Sequence, residues 1–433
     1  MRRVAPRLTT PSPAGREPQD GVRSSLGYRP ALDGIRGLAI IGVLMLHSTI
    51  WGAMPPLLPG GNLGVTVFFV LSGYLITTLL LGEHERTGGI DLRSFYLRRT
   101  ARLLPGLLVL LPVYVVVFSR NQSAWQLVLL VGPVLLYLSS FVQAIWGAMG
   151  PLAWTWSLSV EEHFYAFWPW AIRWLLDGRG DGRGGDGRGG DGRRDDGRRR
   201  ARAWVRRRPL GLAAGCAVAM ICVAVGLRTY LAGSFHWDTF AYYATPTRLD
   251  ALAFGCLAAL FGHRYRAPLP RLAGWAALAV IGWCYANPDY TIGTDALNLY
   301  GLPLSEFAAA VLIVSVVNRP RGLLARALSF RPLVHLGAIS YGLYLWNLLP
   351  GQTWTLLLGR HAGTAGTVAL FAIMFVAVEL SYRYVERPVL RWAKARLAAR
   401  EGRGVAGGPR GVVTRPRYQA RRPGGLASDT GPR

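Results

Sequence analysis

Long apolar segments recur along most of this chain, and short polar or arginine-rich segments separate them. A helix that crosses a membrane needs about 20 mostly apolar residues, and eleven segments are candidates for such helices. The candidates are 37–54, 63–82, 103–119, 125–148, 152–176, 209–228, 249–262, 272–287, 302–318, 333–350 and 366–385. The pattern predicts an all-α fold, a polytopic bundle of transmembrane helices.

Basic residues mark the loops that stay in the cytoplasm, and they set the topology that we expect. The basic loops and tails are the N-terminal tail, 83–102, 177–208, 263–271, 319–332 and the C-terminal tail. Two cytoplasmic ends require an even number of crossings, but the first half of the chain offers five segments. Because Gly132-Pro133 interrupts 125–148, we interpret this segment as a re-entrant hairpin or an interfacial pair. We predict about ten crossings of a bacterial inner membrane, with both termini cytoplasmic.

The composition excludes two other classes of protein. Charged residues make up only 17% of the chain, hydrophobic residues make up 51%, and the mean hydropathy is +0.26. Globular proteins average about 25% charged residues, and disordered chains have low hydrophobicity. The 49 Lys and Arg outnumber the 23 Asp and Glu, which gives a net charge of +26, but this excess lies mostly outside the apolar segments. We therefore expect a lipid bilayer, and no nucleic acid, as a partner.

The same patterns divide the chain into three parts. Residues 1–27 and 394–433 are predicted to be disordered basic cytoplasmic tails, and 28–393 form the transmembrane domain. The low-complexity stretch 177–208 interrupts this domain, and we interpret it as a drifting cytoplasmic insert. Contact with anionic lipid headgroups is the alternative for its arginines. The four cysteines lie in apolar stretches without a CxxC pair, so neither a disulfide framework nor a metal site is predicted.

Ionisable residues inside membrane spans are costly, and they usually face the interior of the bundle. Arg36 and His47 are eleven residues apart in the first segment, which is about three helical turns, or about 16 Å along the axis. The two side chains therefore share one face, with Arg36 at the cytoplasmic lip and His47 predicted near mid-membrane. The alternative for His47 is a hydrogen bond between helices.

Three arginines stand at the start of the third segment. Arg98, Arg99 and Arg102 lie within five residues, and Arg98 and Arg102 are related by i,i+4. Guanidinium groups bind phosphates through paired hydrogen bonds, so the cluster suits a polyphosphorylated cytoplasmic molecule such as coenzyme A. The alternative is a charge cluster that serves only the topology.

Two adjacent acids enter an aromatic segment. Glu161 and Glu162 precede His163 in WSLSVEEHFY, and at least one acid is expected to face a polar cavity. The alternative is that both acids are solvated at the membrane interface. By helical spacing, Glu161 shares a face with Tyr165 and Glu162 does not.

Two weaker signals follow later in the chain. Arg248 and Asp250 stand at the entrance of a segment, where an ion pair between them is the plain explanation. Ser340, Tyr344 and Asn347 follow an i, i+4, i+7 spacing and form one polar stripe. Hydrogen bonds between helices explain such a stripe without any functional role.

Taken in order, seven stretches resemble the acyltransferase-3 family of integral-membrane acyltransferases. They are LDGIRGLAIIGVLMLHS, GVTVFFVLSGYLIT, FYLRRTARLLP, WSLSVEEHFY, TRLDALAFG, ISYGLYLWN and ERPVLR. The resemblance runs from about residue 28 to residue 393. It implies a bundle of membrane helices and transfer of an acyl group from cytoplasmic acyl-CoA, with acetyl-CoA expected, to a hydroxyl. Family acceptors include cell-surface polysaccharide, peptidoglycan, lipid-linked sugars and macrolide-type metabolites.

The resemblance also implies roles for residues of this chain. The implied catalytic residues are His47, Arg36, Glu161 and Glu162. The implied acyl-CoA-binding residues are Arg98, Arg99 and Arg102. We add as substrate-binding candidates Tyr165, Arg248, Asp250, Tyr344 and Asn347. Two departures from the family pattern matter: Asn347 stands where the family usually has His, and no SGNH-type esterase domain follows the last segment. We expect this chain to complete any transfer alone or with a partner.

A hydroxyl attacks a thioester poorly until a base removes its proton, and histidine suits this role near neutral pH. We assign His47 as the general base, with Glu161 or Glu162 holding its tautomer. Arg36 then stabilises the thioester oxyanion or binds a phosphate. No resident cofactor or metal is expected, because acyl-CoA is a co-substrate. The alternatives are a transporter or flippase for a glycolipid or metabolite, with His47 and the acids relaying protons, and a non-catalytic scaffold.

Overall fold

A computed structural model describes residues 27–48, 58–177, 195–235, 237–265 and 269–406. Within these ranges the regular secondary structure is helical, and no strand occurs. The predicted all-α, polytopic fold class is confirmed.

Seventeen α-helices are described in chain order. They are α1 (Pro30–His47), α2 (Leu63–Thr87), α3 (Leu92–Phe118), α4 (Ala124–Leu135), α5 (Ser139–Trp146), α6 (Trp156–Asp177), α7 (Asp195–Phe235), α8 (Asp238–Tyr243), α9 (Leu249–Tyr265), α10 (Ala273–Ala286), α11 (Leu302–Asn318), α12 (Leu323–Leu328), α13 (Arg331–Ala338), α14 (Ser340–Trp346), α15 (Leu349–Leu358), α16 (Gly363–Ser381) and α17 (Arg387–Ala406). One large apolar core joins most of these helices.

Six described helical stretches are long and apolar enough to cross a membrane. They are Pro30–His47, Leu63–Thr87, Leu92–Phe118, Pro209–Ser234, Leu297–Asn318 and Gly363–Ala399. Shorter apolar helices cover Ala124–Leu135, Leu249–Gly262 and Ala273–Ala286. These lengths support a polytopic bundle, and both the total of ten crossings and the side on which the termini lie stay predictions.

Two predicted spans are interrupted. In 125–148, α4 ends at Leu135, Tyr137 adopts a φ of 56°, and α5 begins at Ser139. The break predicted from Gly132-Pro133 is confirmed a few residues later, and the 12 residues of α4 extend only about 18 Å. The second segment, 333–350, was predicted as one span but consists of parts of α13, α14 and α15. The segment is therefore not one continuous helix, and that part of the prediction was wrong.

Two predicted domain boundaries fall inside helices. Helix α7 begins at Asp195, within the insert predicted at 177–208, and α17 continues to Ala406, beyond the boundary predicted at 393. Arginine and alanine favour helix in both stretches, and the disorder of the tails and of the insert stays a prediction. Residues 1–26, 178–194 and 407–433 of the predicted tails and insert lie outside the described residues.

Glycines allow the central helices to approach closely. A Cβ atom on Gly73 of α2 would overlap the backbone carbonyl of Leu252 in α9, and one on Gly255 of α9 would overlap the carbonyl of Val70. Small residues bring helix backbones together in this way in membrane bundles. The α2–α9 contact therefore depends on two glycines that face each other's backbone.

We expect Gly73→Ala to destabilise the folded protein by about 1–3 kcal/mol, because the added methyl group meets backbone that cannot rotate away. Thermal unfolding in detergent micelles measures the effect. Gly282→Ala in α10 is the matched control, since a Cβ atom there meets open space. Equal melting temperatures for the two variants would contradict the prediction.

Candidate functional site

A cavity of about 80 Å³ lies between α1, α2, α3, α6 and α14. Its charged lining residues are Arg36, Arg99, Arg102 and Glu161. Hydroxyl groups of Ser72, Ser157 and Tyr344 also line it, together with apolar side chains. The structure thus brings together residues that are distant in sequence and were predicted separately. A cavity of this volume has room for several water molecules or a small polar group.

The start of α3 places two of the arginines. Asp91 caps this helix by accepting hydrogen bonds from the backbone N–H groups of Arg93 and Ser94, at 3.0 and 3.1 Å. The Ser94 hydroxyl also donates to Asp91, and this bond holds the pKa of the carboxyl below its usual value. Arg99 and Arg102 are three residues apart in this helix, so their side chains share one helix face. Both side chains line the cavity.

The cavity carries an excess of positive charge. Arg36 pairs with Asp33 at 2.9 Å, and Arg99 pairs with Glu161 at 3.5 Å. Among the described residues, no carboxylate lies within 4 Å of Arg102. A buried cation without a paired anion is costly, so this cavity is suited to an anionic ligand.

Helix α6 fixes the orientation of Arg99. The Glu161 carboxylate accepts a hydrogen bond from the Ser72 hydroxyl at 2.7 Å and contacts Arg99 through its other oxygen. One turn further along α6, the ring of Tyr165 stacks under the Arg99 guanidinium at 3.7 Å. The predicted shared face of Glu161 and Tyr165 is confirmed, because both side chains contact Arg99.

The neighbouring acid has different surroundings. Glu162 lines a smaller cavity with Tyr137 and Tyr341, and its Oε1 atom has no hydrogen-bond partner within the described part of the chain. The next residue, His163, turns away and contacts the Thr245 hydroxyl at 2.9 Å. Of the two acids, Glu161 is therefore the one in the arginine cavity.

Arg98 lies apart from the other two arginines. It pairs with Glu83 at the end of α2, at 3.2 Å, and its side chain is 44% exposed. The residue that joins Arg102 in the cavity is Arg99, at i,i+3, and not Arg98 at i,i+4. The expected joint site of Arg98 and Arg102 is not formed, because Glu83 holds Arg98 outside the cavity.

His47 lies at the other end of α1 from Arg36, as the last residue of the helix. It is not among the residues that line the arginine cavity. The Asn347 side chain lies near its imidazole, and His47 Nδ1 has no hydrogen-bond partner among the described residues. The expected contact between His47 and Glu161 or Glu162 is not formed. Glu161 contacts Arg99 in the arginine cavity, and Glu162 lines a smaller cavity that does not include His47. The position of His47 near mid-membrane stays a prediction.

The predicted polar stripe connects the cavity to His47. Tyr344 lines the cavity, where its hydroxyl lies 2.6 Å from the Ser157 hydroxyl and donates to the carbonyl of Trp154 at 2.9 Å. The Asn347 amide donates to the Tyr344 carbonyl at 2.6 Å. Tyr344 and Asn347 therefore form a polar row between the arginine cavity and His47.

Asp250 has an ion-pair partner that the sequence analysis missed. It pairs with Arg228 of α7 at 2.6 Å, and both side chains are buried. Arg248 donates instead to the Thr66 hydroxyl at 2.8 Å, so the expected Arg248–Asp250 ion pair is not formed. Arg228 stands at the end of the segment predicted at 209–228, where a terminal arginine reads as a helix boundary. The available signal was the mostly apolar stretch that continues after it to Phe235.

The Arg248 guanidinium is enclosed by aromatic rings. The rings of Phe69, Trp156 and Tyr242 lie 5.7, 5.7 and 5.1 Å from it. Phe69 also lines the arginine cavity, so Arg248 lies behind one wall of that cavity. Among the described residues, no group of three His, Cys, Asp or Glu side chains could hold a metal ion.

Comparison with known proteins identifies the family of this chain. The model of the acyltransferase-3 family, described as an acyltransferase domain, matches residues 29–382. The chain belongs to this family. The resemblance stated from the seven sequence stretches is confirmed, and the match covers all the site residues named above.

Three relatives are peptidoglycan O-acetyltransferase OatA of Listeria monocytogenes, O-acetyltransferase OatA of Staphylococcus aureus and the putative peptidoglycan O-acetyltransferase YrhL of Bacillus subtilis. They are 28%, 27% and 29% identical to this chain and cover 85%, 84% and 84% of it. The matches cover 56%, 57% and 55% of the relatives, so the chain spans little more than half of their length. No solved structure matches.

Proposed function

We propose that this chain is a membrane-bound O-acyltransferase that transfers an acyl group, with acetyl expected, from acyl-CoA to a hydroxyl of a cell-envelope carbohydrate. Membership of the acyltransferase-3 family supports the reaction type. The names of the relatives, which are O-acetyltransferases and in two cases peptidoglycan O-acetyltransferases, support the acetyl group and the carbohydrate acceptor.

The observation that carries the choice of donor is the positive cavity. Three arginines converge there, and Arg102 has no carboxylate partner among the described residues. Coenzyme A carries several phosphates, and the planar guanidinium group binds phosphate oxygens through two parallel hydrogen bonds. Glu161 and Tyr165 hold Arg99 in one orientation before any ligand arrives. The cavity is therefore a preorganised site for the phosphates of acyl-CoA.

The polar row supports a path for the pantetheine arm of acyl-CoA, and thereby a position for the thioester. Arg36 and His47 are separated by about 16 Å along α1, and the long pantetheine arm of CoA places the thioester at a distance from the phosphates. With the phosphates at the arginines, the arm follows Tyr344 and Asn347, and the thioester comes to the His47 end. This arrangement assigns Arg36 to the phosphates and leaves the base role to His47.

The chemistry at His47 is then a single acyl transfer. The neutral imidazole removes the proton of the acceptor hydroxyl while the hydroxyl oxygen bonds to the thioester carbon. The carbon–sulfur bond breaks, and the CoA thiolate takes the proton from the imidazolium. The donor enters from the cytoplasm, so we propose that the arginine end faces the cytoplasm of a bacterial cell, in agreement with the basic loop that precedes α3.

The test is acyl-CoA binding and turnover by the purified full-length protein in lipid nanodiscs. We expect the Arg99→Ala and Arg102→Ala substitutions each to weaken acyl-CoA binding about 10- to 100-fold, because a hydrogen bond to a charged group contributes about 1.5–3 kcal/mol. Arg98→Ala is the matched control, since this arginine lies outside the cavity, and we expect its dissociation constant to stay within a few-fold of wild type.

Donor analogues separate phosphate binding from a general charge effect. Dephospho-CoA thioesters should lose less affinity in the Arg99 and Arg102 variants than full CoA thioesters do. Equal losses in all three arginine variants would show that these residues serve only topology. A wild-type protein that neither binds nor consumes acyl-CoA would favour the transporter or flippase.

A further inference from the structure

The helical stretch that ends in α17 is longer than a bilayer is thick. Helix α16, a π-helical turn at Tyr382–Glu386 and α17 follow one another without a break, and the stretch Gly363–Ala399 has 37 residues. At 1.5 Å per residue it extends about 55 Å along its axis. The hydrocarbon core of a bilayer is about 30 Å thick, and the bilayer with its headgroups is about 40–45 Å thick. Part of this stretch therefore lies outside the hydrocarbon core.

The distribution of charge shows which part leaves the hydrocarbon core. Residues 363–378 contain no Asp, Glu, Lys or Arg, and the ion pair of Glu379 with Arg383 at 2.6 Å ends this apolar part. Charged residues are costly in the hydrocarbon core. Tyr384 follows and is 74% exposed, as is typical of aromatic residues at the membrane interface. Helix α17 therefore begins at the level of the lipid headgroups.

Helix α17 carries a row of unpaired cations on its exposed surface. The helix packs against α3, and between 387 and 399 its buried residues are Ala393 and Leu397. Arg387, Arg391 and Lys394 are exposed, and their i, i+4, i+7 spacing places them on one helix face. None of these three has an ion-pair partner among the described residues. We call these three residues the basic row.

No neighbouring acid in the helix neutralises the basic row. Residues 387–399 contain no Asp or Glu. The preceding acid, Glu386, is buried and accepts a hydrogen bond from the Ser381 hydroxyl at 3.3 Å. On another flank of α17, the Arg396 guanidinium lies 5.1 Å from the ring of Trp392, which is 52% exposed. The exposed surface of α17 thus combines unpaired cations with an aromatic ring, as is typical of a helix that lies at a membrane surface.

We propose that the basic row binds the headgroups of anionic phospholipids. Guanidinium groups bind phosphate oxygens through paired hydrogen bonds, and the lysine ammonium group adds a compact positive charge. Basic residues next to a membrane span are attracted to an anionic lipid surface. At headgroup level a lipid phosphate is already in place, whereas a soluble anion has to compete with it. The inference is independent of acyl transfer.

Lys394 provides a reporter at a single position, because it is the only lysine of the chain. Reductive methylation with carbon-13 formaldehyde converts its amine to a dimethylamine that keeps the positive charge, and Lys394→Arg identifies the NMR signal by its loss. The measurement uses the full-length protein in phosphatidylcholine nanodiscs with increasing fractions of phosphatidylglycerol. We expect the Lys394 methyl signal to shift with phosphatidylglycerol and to reach saturation.

Two double variants with the same loss of charge separate the basic row from the overall charge of the protein. Arg387→Gln with Arg391→Gln removes two cations of the row. We expect the apparent affinity for phosphatidylglycerol to fall about 25-fold, because each basic residue near an anionic surface contributes about fivefold. Arg321→Gln with Arg326→Gln removes two exposed arginines outside α17 and should leave the response of Lys394 as in the wild type.

Soluble glycerol phosphate, added to phosphatidylcholine nanodiscs, tests the source of the phosphate. We expect no saturable shift of the Lys394 signal with it, and a response equal to that with phosphatidylglycerol would make the row a site for free phosphate groups and overturn the proposal. A wild-type signal that does not respond to phosphatidylglycerol would also overturn it. So would equal responses of the two double variants, because the overall charge of the protein would then explain the effect.

Discussion

Replacing His47 with alanine should abolish acyl transfer, with a fall in kcat of about 10²–10⁴ and no change in membrane insertion. His47 ends α1 beside Asn347, at the opposite end of the polar row from the arginine cavity. Without the imidazole, the acceptor hydroxyl has no base for its proton. Binding of acyl-CoA should be retained, because the phosphate site that we propose includes Arg36, about 16 Å from His47 along the helix.

A matched control is available in α13. His335 is exposed and pairs with Glu379 at 3.4 Å, so His335→Ala removes an imidazole without touching the polar row. We expect this variant to transfer acyl groups at the wild-type rate. Turnover by His47→Ala within a few-fold of His335→Ala would show that another group removes the hydroxyl proton.

The membrane rule for ionisable residues identified most of the charged residues of the cavity from sequence. Arg36, Arg99, Arg102 and Glu161 stood out because charges are rare inside apolar segments, and the fold brings these four together. The sequence could not decide whether Arg98 or Arg99 joins Arg102 in the cavity. Arg98 and Arg99 are both about one turn from Arg102, and the outcome depends on Glu83, which binds Arg98 across the gap between α2 and α3.

The sequence also did not show how far along the bundle axis a residue of one helix lies from the residues of its neighbouring helices. Helical spacing correctly placed Glu161 and Tyr165 on one face of α6, because that geometry is internal to one helix. The pairing of His47 with an acid required knowledge of how far α6 is displaced along α1. That displacement is set by packing between helices, and it puts Glu161 beside Arg99 and leaves Asn347 beside His47.

The interruptions of the helices were likewise predicted only in part from the sequence. Gly132-Pro133 predicted an interruption of 125–148, but α4 continues through Pro133 to Leu135, and the break falls at Tyr137, whose φ is 56°. In 333–350 the apolar pattern continues through the first break at Ile339. For the second break, at Asn347 and Leu348, the available signal was Pro350 in the first turn of α15. The second break places Asn347 at a helix end, so a detail that sequence reasoning missed positions a residue of the site.

The buried ion pair of α7 and α9 should be the most sensitive structural element of the bundle. Arg228 is 0% exposed and forms an ion pair with Asp250 at 2.6 Å. It also donates hydrogen bonds to the Thr247 carbonyl at 2.8 Å and to the Asn298 carbonyl at 2.9 Å. Removing one partner of a buried pair leaves an uncompensated charge in a medium of low dielectric constant. We expect Arg228→Met to lower the free energy of unfolding by about 3–5 kcal/mol, measured by denaturation in mild detergent.

A double-mutant cycle separates this charge effect from a loss of packing. In Arg228→Met with Asp250→Leu both charges of the pair are removed, and buried ion pairs replaced by apolar side chains of similar volume are often close to neutral in stability. Residues in direct contact are not additive, so the double variant should lose much less stability than the sum of the single variants. Additive losses, or an Arg228→Met protein as stable as wild type, would show that the pair does not hold α7 to α9. The cluster would then be available for a role in binding, as first suggested for Asp250 and Arg248.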